Sequence, residues 1–275
     1  MKRIILAVLL LGIIGASIFL FMKQPVKTIP IGDYESAANI DVSLDMLNID
    51  FTNSPDDKIH VQIKGQKVNN DMVNIREEKN RFVIEEKQQK KKWTNYIHIR
   101  QAPTILLQMP KRQLKTLTLH TVDGNLNSND LVLDSVDVKT SAGDAILEGM
   151  SVSNADIQSK DGSVSIAKSS IENFSITTNA GDVSIKDSTG INHMIQTFDG
   201  QINISEAIEQ PKVQAKSTSG DIQIHYKQTP NSLLLTTDGE DIKILLPHYN
   251  KSTHMIGEGV NILTAETEDG AVLIK

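Results

Sequence analysis

Residues 140–185 read TSAGDAILEGMSVSNADIQSKDGSVSIAKSSIENFSITTNAGDVSI, and this stretch determines the fold. Gly143, Gly162 and Gly181 recur in it at a constant spacing, and an apolar residue follows each of them at the second and fourth positions. Apolar residues at every second position predict short strands with one buried face. Each repeat therefore consists of a strand, a turn that carries the glycine, a second strand and a second turn.

The same frame extends in both directions from this stretch. The turn glycine recurs at Gly124, Gly143, Gly162, Gly181, Gly200, Gly220 and Gly239, and one of the six intervals is a single position longer than the others. One repeat cannot bury its own apolar face, so the copies must stack on one another. The sequence thus predicts an all-β chain, a β-solenoid of the β-helix or β-roll type with two-sheet coils of about 19 residues. Each coil adds about 4.8 Å to the rod.

The residues beside the turn glycines are mostly Asp, Ala and Ser, and of these Asp and Ser are common in turns. An Asp-Gly or Ala-Gly pair at a strand junction predicts a glycine with positive φ, where a Cβ is costly. We therefore interpret as structural turn residues Gly124, Gly143, Gly162, Gly181, Gly200, Gly220, Gly239 and Gly270. The alternative for the neighbouring Asp residues is a ladder of carboxylates that binds Ca²⁺ weakly. Calcium-binding β-rolls repeat a nonapeptide with several glycines, and this sequence lacks that motif.

The regular repeats occupy part of the chain. Pro110 ends the strand-rich segment before them, and Pro247 interrupts the pattern after them. The predicted organisation is a cytoplasmic tip (1–3), a transmembrane anchor (4–22), a linker (23–30), a strand-rich N-terminal cap with the first irregular coils (31–115), the regular solenoid repeats (116–246), and a C-terminal coil and cap (247–275).

Residues 4–22 read IILAVLLLGIIGASIFLFM, a run without any charged side chain. A helix crosses the hydrocarbon core with roughly 20 apolar residues, so the run predicts one N-terminal transmembrane helix in contact with membrane lipid. The small residues 15–17 supply a weak cleavage site, which leaves a cleaved signal peptide as one alternative and a buried soluble helix as another. Lys2 and Arg3 favour an N-terminus inside the cell. The expected product is a single-pass protein of the cell membrane with the bulk of its chain outside the cytoplasm.

The composition excludes several classes of chemistry. The chain of 275 residues has no cysteine, which rules out disulfides, Cys-ligated zinc, iron–sulfur clusters and cysteine nucleophiles. Its 7 histidines form no HExxH motif, and the chain has neither a GxSxG elbow nor a Walker loop. His248 and His254 flank one loop, but no acidic residue lies between them. We therefore predict no catalytic residue, no metal site and no cofactor.

Charge is distributed unevenly along the chain. Residues 24–115 hold 15 Lys and Arg against 12 Asp and Glu, a net charge of +3. Residues 116–275 hold 10 Lys and Arg against 22 Asp and Glu, a net charge of −12. Nucleic-acid binding requires a basic footprint, so the acidic distal part predicts no nucleic-acid partner.

A basic segment interrupts this pattern between two predicted strands. Residues 87–96 read KQQKKKWTNY and contain the only tryptophan of the chain. One interpretation is a solvated hairpin loop. The other is an electrostatic contact with anionic lipid head groups or wall polymers. The residues that would make this contact are Lys87, Lys90, Lys91, Lys92 and Trp93.

The repeats and their flanks resemble a known family, the putative-adhesin domain of bacterial envelope proteins. The similarity is carried by NIDFTNSPDDKIHVQIKG (48–65), TILLQMPKRQLKTLTLHTVDG (104–124), the repeated (S/T)xxGD(V/I)xI units and IGEGVNILTAETEDG (256–270). Membrane-anchored members resemble LiaG-like proteins of Firmicutes, which are encoded with a cell-envelope-stress response system. The resemblance implies a β-solenoid with an extracytoplasmic role. An envelope protein or a wall polymer is the expected partner. The resemblance supplies no catalytic motif.

Two functional hypotheses follow from these observations. The first is a non-enzymatic, membrane-tethered extracytoplasmic solenoid that binds or scaffolds components of the cell envelope. The alternative is a carbohydrate-active enzyme, a lyase or glycosidase on a β-helical scaffold that acts on wall or exopolysaccharide. Such an enzyme needs carboxylates that converge on a cleft. The carboxylates of residues 116–275 are instead spread over the repeats, and aromatic residues there are few, which favours the first hypothesis.

Overall fold

Two long β-sheets make up the computed structural model, which describes residues 25–87, 102–111 and 114–275. Each sheet has twelve strands, which confirms the all-β prediction. The described residues also contain a short 3-10 turn, Asn70–Met72. None of them belongs to a helix that is long and apolar enough to cross a membrane. The predicted anchor, residues 4–22, lies outside the described residues.

The strands are numbered in chain order. Sheet A contains β1 (Lys27–Tyr34), β3 (Asn48–Asn53), β4 (Ile59–Gly65), β7 (Thr104–Met109), β9 (Leu126–Asn129), β11 (Ala145–Glu148), β13 (Val164–Ala167), β15 (Val183–Lys186), β17 (Ile202–Ala207), β19 (Ile222–Tyr226), β21 (Asp241–Ile244) and β24 (Ala271–Ile274). Sheet B contains β2 (Asn39–Ser43), β5 (Val73–Glu78), β6 (Arg81–Glu86), β8 (Thr116–Thr121), β10 (Val132–Thr140), β12 (Ser151–Ser159), β14 (Ser170–Thr178), β16 (Asn192–Thr197), β18 (Lys212–Ser217), β20 (Leu233–Asp238), β22 (Met255–Ile256) and β23 (Asn261–Thr267).

Each regular coil contributes one strand to sheet B and the next strand to sheet A. Neighbouring coils pair in parallel, with Ile157 opposite Ile176 in sheet B and Val164 opposite Val183 in sheet A. The partners in each pair are separated by one repeat of the sequence, as the spacing of the glycines predicts. Their side chains are buried between the sheets, where they continue a single apolar core along the stack. The period of the sequence is therefore the step from one coil to the next.

The turn glycines lie at the corner where the chain passes from sheet B to sheet A. The prediction of a left-handed backbone is wrong for them, because the set contains positive φ only at Gly239, whose φ is 158°. Glycine is required for another reason. A Cβ on Gly143 would overlap the carbonyl oxygen of Gly124, and a Cβ on Gly162 would overlap that of Gly143. Successive backbones approach too closely at this corner to admit a side chain.

A buried hydroxyl, placed three positions before the turn glycine, completes this corner in most coils. Thr140 Oγ1 donates to the carbonyl of Gly143 at 3.0 Å, and Thr178 Oγ1 donates to the carbonyl of Gly181 at 2.7 Å. Burial of an unpaired carbonyl would be costly, so the hydroxyls stabilise the interior. The same position in other coils holds buried Thr121, Ser159, Thr197, Ser217 and Thr267.

A row of left-handed residues occurs at the opposite corner of the regular coils, where the chain returns from sheet A to sheet B. They recur at the same repeat spacing, and all but one of them carry a side chain. They are Asp130 (φ 58°), Gly149 (φ 65°), Lys168 (φ 49°), Asp187 (φ 48°) and Glu206 (φ 52°). Glycine therefore occupies the corner where neighbouring backbones leave no room for a side chain, and is mostly absent from the corner where φ is positive.

The coils do not follow one another in chain order at the C-terminal end. After β18 and β19 the chain skips one position and builds a coil from β20 and β21. It then returns, and β23 and β24 fill the gap. The sequence predicts the final coil within residues 247–275, but their strands β23 and β24 are the penultimate layer of the stack. The seventh repeat forms the outermost coil, and in sheet B the two-residue strand β22 pairs with its outer edge.

The N-terminal end is arranged in a corresponding way. The coil of β2 and β3 lies directly beside β8 and β9, and the coil of β6 and β7 packs outside it. Antiparallel strands β4, β5 and β1 then close this end. Residues 27–30 belong to β1 and not to a linker, which corrects the predicted boundary.

Candidate binding surface

The outer face of sheet B presents three straight rows of side chains, which we call the polar face. Adjacent members of a row lie on adjacent strands, about 4.8 Å apart. The first row is Asn39, Thr116, Ser135, Asn154, Asn173, Asn192, Lys212 and Ile262. The second is Asp41, Thr118, Asp137, Asp156, Ser175, Met194, Gln214 and Thr264. The third is Ser43, His120, Lys139, Gln158, Thr177, Gln196, Lys216 and Glu266.

These rows arise directly from strand alternation. In β12 the side chains of Ala155, Ile157 and Ser159 are buried, while those of Asn154 and Gln158 are exposed. Because neighbouring strands pair in parallel at the repeat offset, one alternation pattern is copied from coil to coil. The result is a continuous surface with mostly amide, hydroxyl and carboxylate side chains.

Hydrogen bonds link members of the rows. Thr116 Oγ1 donates to Asn39 Oδ1 at 2.8 Å, and Asn173 Nδ2 donates to Asn154 Oδ1 at 3.3 Å. Asn192 Oδ1 on this face has no hydrogen-bond partner among the described residues, and the nearest cation to Asp137 Oδ1, Lys139 Nζ, lies 3.9 Å away, beyond hydrogen-bond distance. A buried acceptor that has lost its hydrogen bonds to water regains that free energy only when a donor binds it. The polar face therefore has hydrogen-bonding capacity that the described residues do not use.

Two carboxylates of the second row lie on adjacent strands. Asp137 is opposite Asp156, and Asp41 lies two strands away from Asp137 in the same row. A glycosidase needs a pair of nearby carboxylates as one part of its site, and sequence reasoning missed this pair. The three rows contain no Phe, Tyr or Trp, and the exposed ring of Phe198 lies at the glycine corner instead.

The Asp residues that directly follow turn glycines act as structural acceptors. The backbone N–H of Ser163 donates to Asp144 Oδ1 at 2.9 Å, and that of Gln201 donates to Asp182 Oδ1 at 2.8 Å. Each bond joins one coil to the next. In the part of the chain that the structure describes, no three His, Asp or Glu side chains are grouped to hold a metal ion.

His60 forms an ionisable cluster in the N-terminal cap that the sequence did not reveal. Its Nδ1 lies 2.6 Å from Asp33 Oδ1, and its Nε2 lies 2.9 Å from Asp56 Oδ1. The hydrogen bond to Asp33, with a smaller contribution from Asp56, raises the pKa of His60. The cluster ties β1 to β4 and to the turn before β4.

His193 lies inside the solenoid, at a position that aligned coils fill with Phe174 and Val213. Its ring stacks on Phe174 with centroids 3.8 Å apart, and its Nε2 is 3.2 Å from the carbonyl of Ile171. Burial lowers the pKa of His193 to about 4. Gln210, which lines the same narrow cleft, has an Oε1 without a hydrogen-bond partner among the described residues.

The remaining sequence-predicted residues are dispersed. Lys87 is exposed and lies 3.8 Å from Asp71 Oδ1, while Lys90, Lys91, Lys92 and Trp93 lie outside the described residues. His248 and His254 are exposed, and His254 Nδ1 lies 3.1 Å from the hydroxyl of Tyr249. Neither histidine, nor Lys87, lies on the polar face.

The chain is similar to a known protein family and to several solved structures. A family model described as Toastrack DUF4097 matches residues 37–275. No curated protein matches the chain. Two solved structures from Parabacteroides distasonis, described as a putative lipid binding protein and a putative adhesin, each share 13% identity with it at a TM-score of 0.56. Both alignments cover 92% of this chain and 98% of the other, and they show the fold alone. A putative adhesin from Bacteroides fragilis shares 17% identity at a TM-score of 0.48, over 92% of this chain and 98% of the other.

Proposed function

The chain belongs to the Toastrack DUF4097 family, and on this premise we propose that it is a non-catalytic binding protein whose polar face holds an extended ligand. The observation that carries the proposal is the set of three rows that cross eight strands at one spacing. A polymer with regularly repeated hydroxyl and carbonyl groups fits such a surface. The ligand class that we propose is a polysaccharide of the cell wall or its surroundings.

The location predicted for the chain is consistent with a wall polysaccharide as ligand. The uncharged run 4–22 would hold the chain in the cell membrane, with the solenoid outside the cytoplasm. A tethered rod of stacked coils then extends into the envelope, where wall polymers lie. From the resemblance to LiaG-like proteins we further propose a link to the envelope-stress response. Transcription of the gene should then rise when wall synthesis is inhibited.

The binding experiment uses the full chain in lipid nanodiscs and purified, protein-free wall fragments that can be sedimented. We expect Asn154→Ala combined with Asn173→Ala to weaken cosedimentation, because both changes remove hydrogen-bonding groups from one row. The matched control is Ser165→Ala with Ser184→Ala, on paired strands of sheet A. Equal cosedimentation of both double variants would contradict the assignment to the polar face.

The adjacent carboxylates favour one second candidate, the carbohydrate-active enzyme. If Asp137 and Asp156 were catalytic, the chain would release soluble sugar from wall fragments, and Asp137→Asn with Asp156→Asn would abolish that release while binding persisted. Our proposal expects no release by either form.

A further inference from the structure

The C-terminal end of sheet A is open. Inward-facing Ile222, Val272 and Ile242 form one column on β19, β24 and β21. The first two are at most 1% exposed, whereas Ile242 is 41% exposed because no further strand of the described chain covers it. Leu245, which follows β21, is 63% exposed. The outermost strand therefore has apolar side chains and a backbone edge without a neighbour among the described residues.

The other three sheet edges among the described residues are blunted. Strand β1 carries Pro30, which has no N–H, and a register shift directly after it. Strand β5 ends in the charged run of residues 76–78. Strand β22 has two residues and is followed by Gly257 and Gly259, both with positive φ. A partner strand thus finds its best template on β21.

The sequence of β21 is complementary to itself in one arrangement. Asp241 and Lys243 alternate with Ile242, and in one chain Lys243 Nζ lies 2.6 Å from Asp241 Oδ2. Antiparallel pairing about Ile242 sets Asp241 opposite Lys243 of a second copy, twice, and sets the two Ile242 side chains together on the inward face. Parallel pairing in register would oppose like charges. A shift by one residue would place Ile242 against a lysine.

We propose that β21 is an interface between two copies of this chain, which join tail to tail by antiparallel pairing centred on Ile242. The two-fold axis makes the contact isologous, so the association closes at a dimer. Leu245 then faces Gly239 of the other copy, where the absence of a side chain leaves room. The short strand gives a small contact, so the dimer depends on protein concentration. Confinement of anchored chains to a membrane raises that concentration.

The absence of native cysteine permits a direct test on the full chain in detergent micelles. Ile242→Cys places one thiol of each copy on the two-fold axis, at a separation from which a disulfide can form. We expect mild oxidation to yield a covalent dimer from this variant. The matched control is Ile191→Cys, an exposed position remote from β21. Little dimer from Ile242→Cys, or equal amounts from both, would overturn the proposal.

Charge exchange provides a second readout that does not depend on oxidation. Sedimentation velocity over a series of concentrations should show weaker dimerisation for Asp241→Lys and for Lys243→Asp. The double variant, Asp241→Lys with Lys243→Asp, restores the opposed charges and should restore the wild-type dimer. A wild-type chain that stays monomeric throughout the series, or that forms open-ended polymers, would overturn the proposal.

Discussion

The carbonyl oxygen of Gly162 lies where a Cβ on Gly181 would stand. The relationship repeats from coil to coil, so the turn glycines form a column of closely packed backbone through the stack. A substitution at any turn glycine other than Gly239 must separate two coils, whatever the character of the new side chain.

We predict that Gly181→Ala destabilises the protein, because even a methyl group must displace the backbone of the preceding coil. The expected loss in free energy of unfolding is about 1–3 kcal/mol, measured by urea denaturation. Ser163→Ala, at the exposed residue beside Gly162, is the control and should cost little. If Gly181→Ala were as stable as the control, the coils would not be in contact at this corner.

At the opposite corner the prediction has the reverse sign. Glu206 adopts a φ of 52°, which is strained for a residue with a side chain. Glu206→Gly should therefore increase the free energy of unfolding, by up to about 1 kcal/mol after the extra backbone entropy of glycine is subtracted. Glu172→Gly, at an exposed position inside β14, removes the same charge and should destabilise. Thermal melts of the two variants that shift in the same direction would contradict this assignment.

His193 predicts a loss of stability in acid. Its pKa is about 4 in the folded chain, below the ordinary value of 6.5, so the unfolded chain binds the proton first as pH falls. Its contribution is fully present above pH 6.5 and is lost as pH falls from 6.5 towards 4, by about 3 kcal/mol in total. His193→Val should flatten this part of the pH profile in urea titrations. A variant of exposed His120, His120→Gln, should keep the wild-type slope.

The His60 cluster titrates in the opposite sense. A raised pKa means that its stabilising contribution is present below pH 6.5 and disappears as pH rises through the folded value. Asp33→Asn removes the larger cause and should lower the pKa of His60, as followed by NMR of the imidazole signals. Asp57→Asn, in the same turn region but outside the cluster, should leave it unchanged. Equal pKa values in all three proteins would show that Asp33 does not bind His60 in solution.

The basic segment predicts a contact with anionic membranes. A soluble form beginning at residue 25, which keeps all of β1, should bind anionic vesicles weakly and release them as salt rises. Changing Lys87, Lys90, Lys91 and Lys92 to Gln should abolish this binding. Changing the distal lysines Lys139, Lys160, Lys186 and Lys212 should not. Equal binding by both variants would favour the alternative interpretation, that the basic segment is a solvated loop.

The repeat was readable from sequence because glycine spacing and apolar alternation are local properties of each coil. The left-handed corner could not be located from the sequence, because its positions are mostly occupied by residues other than glycine, such as Asp130, Lys168 and Glu206. Turn chemistry and close backbone approach both select glycine, and sequence alone does not separate them. The polar face required the pairing register, which aligns side chains that are one repeat apart. Its adjacent acids, Asp137 and Asp156, are not distinctive in the linear sequence.

The layer formed by β23 and β24 also constrains the order in which the protein can be completed. On the ribosome, β20 and β21 emerge before the strands that must separate them from β18 and β19. Until residues 261–274 appear, the nascent chain has either a vacant layer or a transient contact between coils that are not neighbours in the native stack. Completion of the distal solenoid therefore requires β23 and β24 to insert between two coils whose strands precede them in the chain.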